Sequence, residues 1–177
     1  TAVANNAPVA TAQTVTATED TEVTITLAGT DAEGSALTYS ISTLPTNGVL
    51  YQTSDGTTRG DAFTTVPTTV TNSEFKVIYL PPSNANGDGY GNFGFKVNDG
   101  TETSAEATVT VNVTAVNDAP VLAAIGNRST NEDVSHHVVL SATDAEGDAI
   151  TYSASSAEEN VTATVSNDTL HLVPAAD

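Results

Sequence analysis

The chain has 177 residues, with 22 Asp and Glu against four Lys and Arg, a formal charge of -18, and no cysteine, methionine or tryptophan. Phosphate binding needs a cationic face, so nucleic acid is excluded as a partner. No apolar run reaches 18 residues, which excludes membrane insertion through a helix, and the lack of cysteine excludes both a disulfide framework and a zinc-thiolate site.

The first residue is Thr1, and no segment carries a charged start, an apolar centre and a small-residue cleavage site, so the chain is expected to be an excerpt of something longer. Thr, Val, Asn, Ser and Gly dominate, and apolar residues do not recur at helical spacing, so the fold class is all-β. Strands are predicted over 13–17, 22–28, 37–43, 48–52, 75–80, 92–97 and 105–115. Between them lie "TDAEGS", "PTNG", "SDGTTRGD", "PPSNANGDGYG" and "NDGTE", rich in residues that tolerate positive φ or bond their own backbone. Alternation nominates Val23, Ile25, Leu27, Val109, Val111 and Val113 for the core, with Tyr39, Tyr79, Phe93 and Phe95 as bulky fillers. This strand spacing is that of an immunoglobulin-like sandwich.

The strand ending in "VTVNVTAVNDAPVL" then stops at a proline, and the pattern begins again. Glu19-Asp20 recurs as Glu132-Asp133, Asp31-Ala32-Glu33-Gly34 as Asp144-Ala145-Glu146-Gly147, and Leu37-Thr38-Tyr39 as Ile150-Thr151-Tyr152, at a common offset of 113 residues. A period this long is a whole domain. The expected organisation is therefore a complete sandwich over 1–117 and the first part of a second over 118–177, without counterparts of the last two strands. Such a unit exposes a sheet edge that a strand from a neighbouring subunit could complete.

Strand polarity places the acids. Glu19 and Asp20 follow the first strand and Asn117 and Asp118 follow the last, so all four are expected at the far end of the first unit. Asp144, Glu146 and Asp148 join the second and third strands of the next unit and are expected at its near end, so that the clusters meet at one junction. Carboxylate and amide oxygens suit a hard divalent cation that takes six to eight oxygen ligands, and His and Cys are missing from the set, so Ca²⁺ is favoured over zinc or copper. Taken singly, "NDG", "DAEG" and "NED" are ordinary turns; their recurrence at one offset is what singles them out. An upstream copy of the site comprises Asn6, Asp31, Glu33 and Asp99, with Ser35 where the second unit has Asp148.

"VNDAPV", "TDAEGDAI" and "FKVNDG" together resemble the cadherin-like and immunoglobulin-like tandem repeats of large bacterial surface adhesins of the RTX type. The resemblance covers essentially the whole chain. It implies cysteine-free, non-enzymatic, calcium-stiffened extender repeats, exported by type I secretion and displayed outside the cell, whose partners are neighbouring repeats of the same chain. The match to animal cadherins is looser, because their "DRE" element is absent.

Catalysis finds little support. His136 and His137 are adjacent on a strand and point to opposite faces, His171 has no evident acid or nucleophile around it, and no nucleophile elbow, phosphate loop or H-E-x-x-H occurs. A glycan- or peptide-binding module is a further alternative, resting on the loop over 81–94 with Asp88, Tyr90 and Phe93, although the plainer reading sends those aromatics into the core. Four N-x-[ST] triplets, at Asn112, Asn127, Asn160 and Asn167, are what chance supplies in so Thr-rich a chain.

Overall fold

Alternating β-branched residues set the local structure, because their stiff side chains pack well on a pleated surface. The computed structural model describes residues 4–176, which form strands and, among the described residues, no helix. The chain divides into two units, 1–116 and 117–177.

The described residues of the first unit form ten strands: β1 (Val9–Ala10), β2 (Gln13–Thr18), β3 (Val23–Thr26), β4 (Gly29–Thr30), β5 (Thr38–Thr43), β6 (Val49–Tyr51), β7 (Thr68–Thr69), β8 (Lys76–Leu80), β9 (Gly87–Asn98) and β10 (Ala107–Thr114). One sheet has the order β2-β10-β9-β5-β7, the other β3-β8-β6, and β1 pairs with β4 beside them. Every pairing is antiparallel except that of β2 with β10, which is parallel and aligns Gln13 with Val109 through to Thr18 with Thr114.

The core lies between the two sheets. Ile25, Leu27, Leu50, Val77 and Tyr79 come from the smaller sheet and its flanks, and Tyr39, Ile41, Phe93, Phe95, Val97, Val109, Val111 and Val113 from the larger. The core positions expected from alternation are buried, apart from Val23, which packs half-buried against the cluster.

Two strand assignments are corrected. The segment expected as a loop over 81–94 is a loop only as far as residue 86, because Gly87–Asn98 is one continuous strand. Gly91 is required there by packing rather than by a turn: it sits against the buried Tyr79 ring, where no side chain fits. The strand expected over 22–28 is a strand only over Val23–Thr26, and a separate short strand, Gly29–Thr30, follows it and pairs with β1.

The second unit repeats the smaller sheet. It contains β11 (Val121–Leu122), β12 (His136–Val139), β13 (Ala142–Thr143), β14 (Val161–Ser166) and β15 (Thr169–Pro174), with β11 paired to β13 and a sheet of order β12-β15-β14. These reproduce β1-β4 and β3-β8-β6. Ile150-Thr151-Tyr152, the counterpart of the start of β5, is not a strand. In the first unit β5 is held by β9 and β7, and among the described residues of the second unit no strand pairs with this segment. In this unit Val138 and Leu140 are buried, whereas Val121, Leu122, Val134, Val139 and Val173 are exposed.

Candidate functional site

At the amino-terminal end of the first unit, the acids are drawn together by amide groups. Asn5 Nδ2 donates to Asp99 Oδ2 at 2.9 Å and to the Asn6 carbonyl at 3.2 Å. Asn6 in turn donates from its backbone N to Glu33 Oε2 at 3.1 Å and from Nδ2 to Glu33 Oε1 at 2.6 Å. Within the "DAEG" turn, the Glu33 and Ser35 amides donate to Asp31 Oδ1 at 3.1 and 2.8 Å, and Gly34 closes the turn at φ 77°, a conformation that favours glycine. Asp99 Oδ1 accepts from the Glu102 and Thr101 amides, both at 2.7 Å. These bonds, the Glu102 amide foremost and then Asn5 and Thr101, hold the Asp99 carboxyl below its ordinary value.

One oxygen in this set is left over. Asp31 Oδ2 is buried and accepts no hydrogen bond. Buried carboxylate oxygens normally find a donor, and the cost of leaving one without is considerable. Among the described residues the salt bridges are Arg59–Glu22 and Lys76–Glu74, so none of Asp31, Glu33 and Asp99 is neutralised by an ion pair. An all-oxygen donor set with an orphaned buried carboxylate oxygen fits a hard divalent cation.

The second unit carries the same arrangement at its own amino-terminal end. Asn117 Nδ2 donates to the Asp118 carbonyl at 3.0 Å, as Asn5 does to Asn6. The Asp118 amide donates to Glu146 Oε2 at 3.0 Å, as the Asn6 amide does to Glu33. Asp148 N donates to Asp144 Oδ1 at 2.9 Å, as Ser35 does to Asp31, and Gly147 takes φ 78°. Ser35 thus keeps the turn that Asp148 makes but brings no carboxylate.

At the other end of the first unit, Glu19 and Asp20 diverge. Glu19 is fully buried: its Oε1 accepts the Val116 amide at 2.6 Å and its Oε2 faces Asn86 Nδ2 at 3.5 Å. Asp20 is exposed, in a turn at φ 58°.

Asn5 and Asn86, which orient Asp99 and approach Glu19, escape sequence reasoning because isolated asparagines in loops are too common to single out. The histidines are also placed more specifically than expected. His136 and His137 do lie on opposite faces, but His137 is the direct cross-strand partner of His171. The aromatic platform does not form, because Phe93 is buried and Tyr90 packs half-buried against the core.

Comparison with known proteins agrees with the architecture. No curated protein matches the chain. Among solved structures, mouse cadherin-23 repeats EC22-24 match at 19% identity and a TM-score of 0.51, over 98% of this chain and 56% of that one. The four amino-terminal immunoglobulin domains of Dscam1 isoform 9.44 match at 10% identity and a TM-score of 0.39, over 99% of this chain and 40% of that one. The chain therefore spans about half or less of these solved chains, and at such identity the cadherin likeness speaks for the fold alone. The pattern of the SibA-like, immunoglobulin-like domain matches residues 2–113, most of the chain, and the protein belongs to that family.

Proposed function

We propose that this chain is a non-enzymatic segment of an extracellular tandem array, in which calcium held at the acidic amino-terminal end of each unit ties it to the unit before. The observation that carries this reading is the duplicated hydrogen-bond pattern, Asn6–Glu33 with Asp31–Ser35 and Asp118–Glu146 with Asp144–Asp148. Ordinary turns do not require the same two-segment arrangement to be rebuilt one domain later.

Asp31, Glu33, Asp99 and Asn6 would hold the ion of the first unit. Asn117, Asp118, Asp144, Glu146 and Asp148 would hold that of the second, with Glu19 and Asp20 as donors contributed from the preceding domain. The ion supplies charge neutralisation and geometric constraint: carboxylates that repel one another without it are fixed in one arrangement with it. An acidic excess without disulfides then becomes a device for making rigidity conditional on external calcium. Affinity in the range of extracellular modules, about 10⁻⁴ to 10⁻³ M, is expected.

Small-angle scattering of the chain in calcium and in chelator tests the reading. The expected result is a longer and more uniform particle with calcium, lost in an Asp118→Ala, Asp144→Ala double variant; identical dimensions in both conditions would sink the proposal.

A further inference from the structure

His137 on β12 and His171 on β15 stand directly opposite one another, with ring centroids 4.5 Å apart and planes at 77°. Cross-strand partners on one sheet face are close enough for their side chains to act as a unit. An ion bound by an imidazole nitrogen at about 2.0–2.1 Å lies about 3.1 Å from that ring's centroid. Two imidazoles on one ion therefore have centroids about 4.4 Å apart at a right angle and about 5.1 Å apart at the tetrahedral angle. The observed separation falls in that interval.

The pair is also open to solvent, and the reason lies in the loops. In the first unit the equivalent positions are Thr24 and Ile78. There the chain between β6 and β8 runs through residues 52–75 and lies over the sheet: Thr24 Oγ1 donates to the Gly56 carbonyl at 2.8 Å, and Ile78 is only 1% exposed. In the second unit β14 and β15 are joined by Asn167 and Asp168 alone, a tight hairpin turn with Asn167 at φ 55°. Among the described residues no loop between these two strands covers the face, His137 is exposed, and its neighbours on the same sheet face, Val139 and Val173, are 72% and 46% exposed.

We propose that His137 and His171 form a two-imidazole site for a borderline divalent ion of the copper, nickel and zinc class, separate from the acidic ends of the units. Imidazole suits these ions, whereas calcium prefers oxygen. Among the described residues no further His, Cys, Asp or Glu ligand atom completes a three-ligand group with this pair, so the remaining positions go to water. His136 takes no part, since it faces the opposite side of the sheet with Leu172.

Titration of the whole chain with Cu²⁺ in excess calcium and a non-coordinating buffer tests the site, because calcium competes for carboxylates but not for imidazoles. One Cu²⁺ per chain is expected, with affinity reduced at least tenfold in His137→Ala and in His171→Ala and unchanged in His136→Ala. Pulsed electron paramagnetic resonance of the unmodified chain supplies a readout that needs no variant, with two equatorial imidazole nitrogens expected. Fewer than two imidazoles, or equal binding by the His137→Ala, His171→Ala double variant, overturns the assignment. Neither outcome bears on the calcium reading, which rests on other residues.

Discussion

Replacing Gly91 by alanine puts a methyl group where the Tyr79 ring already lies. The added Cβ overlaps the Tyr79 hydroxyl oxygen and stands 2.7 Å from Cζ. Tyr79 cannot retreat easily, because it is fully buried and its hydroxyl donates to the Asn47 carbonyl at 2.9 Å. From the other side Gly48, at φ +76°, is as tight, its own Cβ position lying 2.6 Å from the same hydroxyl. Forcing extra volume into such a site costs about 1–3 kcal/mol, and losing the hydroxyl's bond adds about 0.5–1.5 kcal/mol. The sum, about 2–4 kcal/mol, corresponds to a fall in Tm of roughly 10–20 °C for a domain of this size. Thermal unfolding followed by far-UV circular dichroism measures the fall, and hydrogen exchange in β8 and β9 assigns it to the first unit. Tyr79→Phe removes the oxygen that clashes, so the double variant is expected to cost about 1 kcal/mol less than the sum of the two singles. A loss below about 0.5 kcal/mol for Gly91→Ala, or strict additivity with Tyr79→Phe, would refute the packing argument.

Phe95, fully buried and ring-stacked with Tyr39 at 6.3 Å, should cost about 3–5 kcal/mol when cut to alanine, read by denaturant titration. The Asp99 carboxyl is held below its ordinary value, so its stabilising contribution is fully present above the unfolded-chain pKa of about 3.9 and is lost as pH falls through the lower folded value. Acid titration should accordingly show Asp99→Asn less stable than the parent at neutral pH, with the gap closing below about pH 4; a gap independent of pH would contradict the assigned cause. Chelator should lower the Tm of the unmodified chain and leave that of an Asp31→Ala, Glu33→Ala, Asp144→Ala, Glu146→Ala variant unmoved, as differential scanning calorimetry can show.

Legibility in the sequence depended on whether the signal was local. Val109, Val111 and Val113 alternate in the sequence and are buried as alternation demands, since the strand period is two wherever the strand lies. Gly87–Gly91 carries the opposite local signal, a turn, and is nevertheless drawn into the strand, where Gly91 makes room for the Tyr79 ring, contributed by a different strand. Ile150-Thr151-Tyr152 copies the first unit's sequence without copying its strand, because hydrogen bonding in a sheet belongs to the partner as much as to the segment. At the acidic ends the "DAEG" turns were legible from their repetition. The amide clamps of Asn5 and Asn86 were not, since nothing in a single asparagine specifies which carboxylate it will meet. His171 was within reach: aligning "TLHLVP" with "KVIYLP" places it at Ile78, whose strand partner Thr24 corresponds to His137.

The parallel pairing of β2 with β10 joins the first long strand of the first unit to its last strand along six aligned residue pairs. The chain comes into this unit beside Asn6 and Glu33 and leaves it at Val116, whose amide is gripped by Glu19 beyond the far end of β2. Tension applied at the two ends therefore drags β2 and β10 in opposite directions along their common axis. Ladder bonds loaded this way share the force and must yield together, whereas antiparallel neighbours pulled from one end would unzip a rung at a time. Single-molecule stretching should find the first unit mechanically stronger than its thermal stability alone suggests, with Thr16→Pro in β2 removing that resistance.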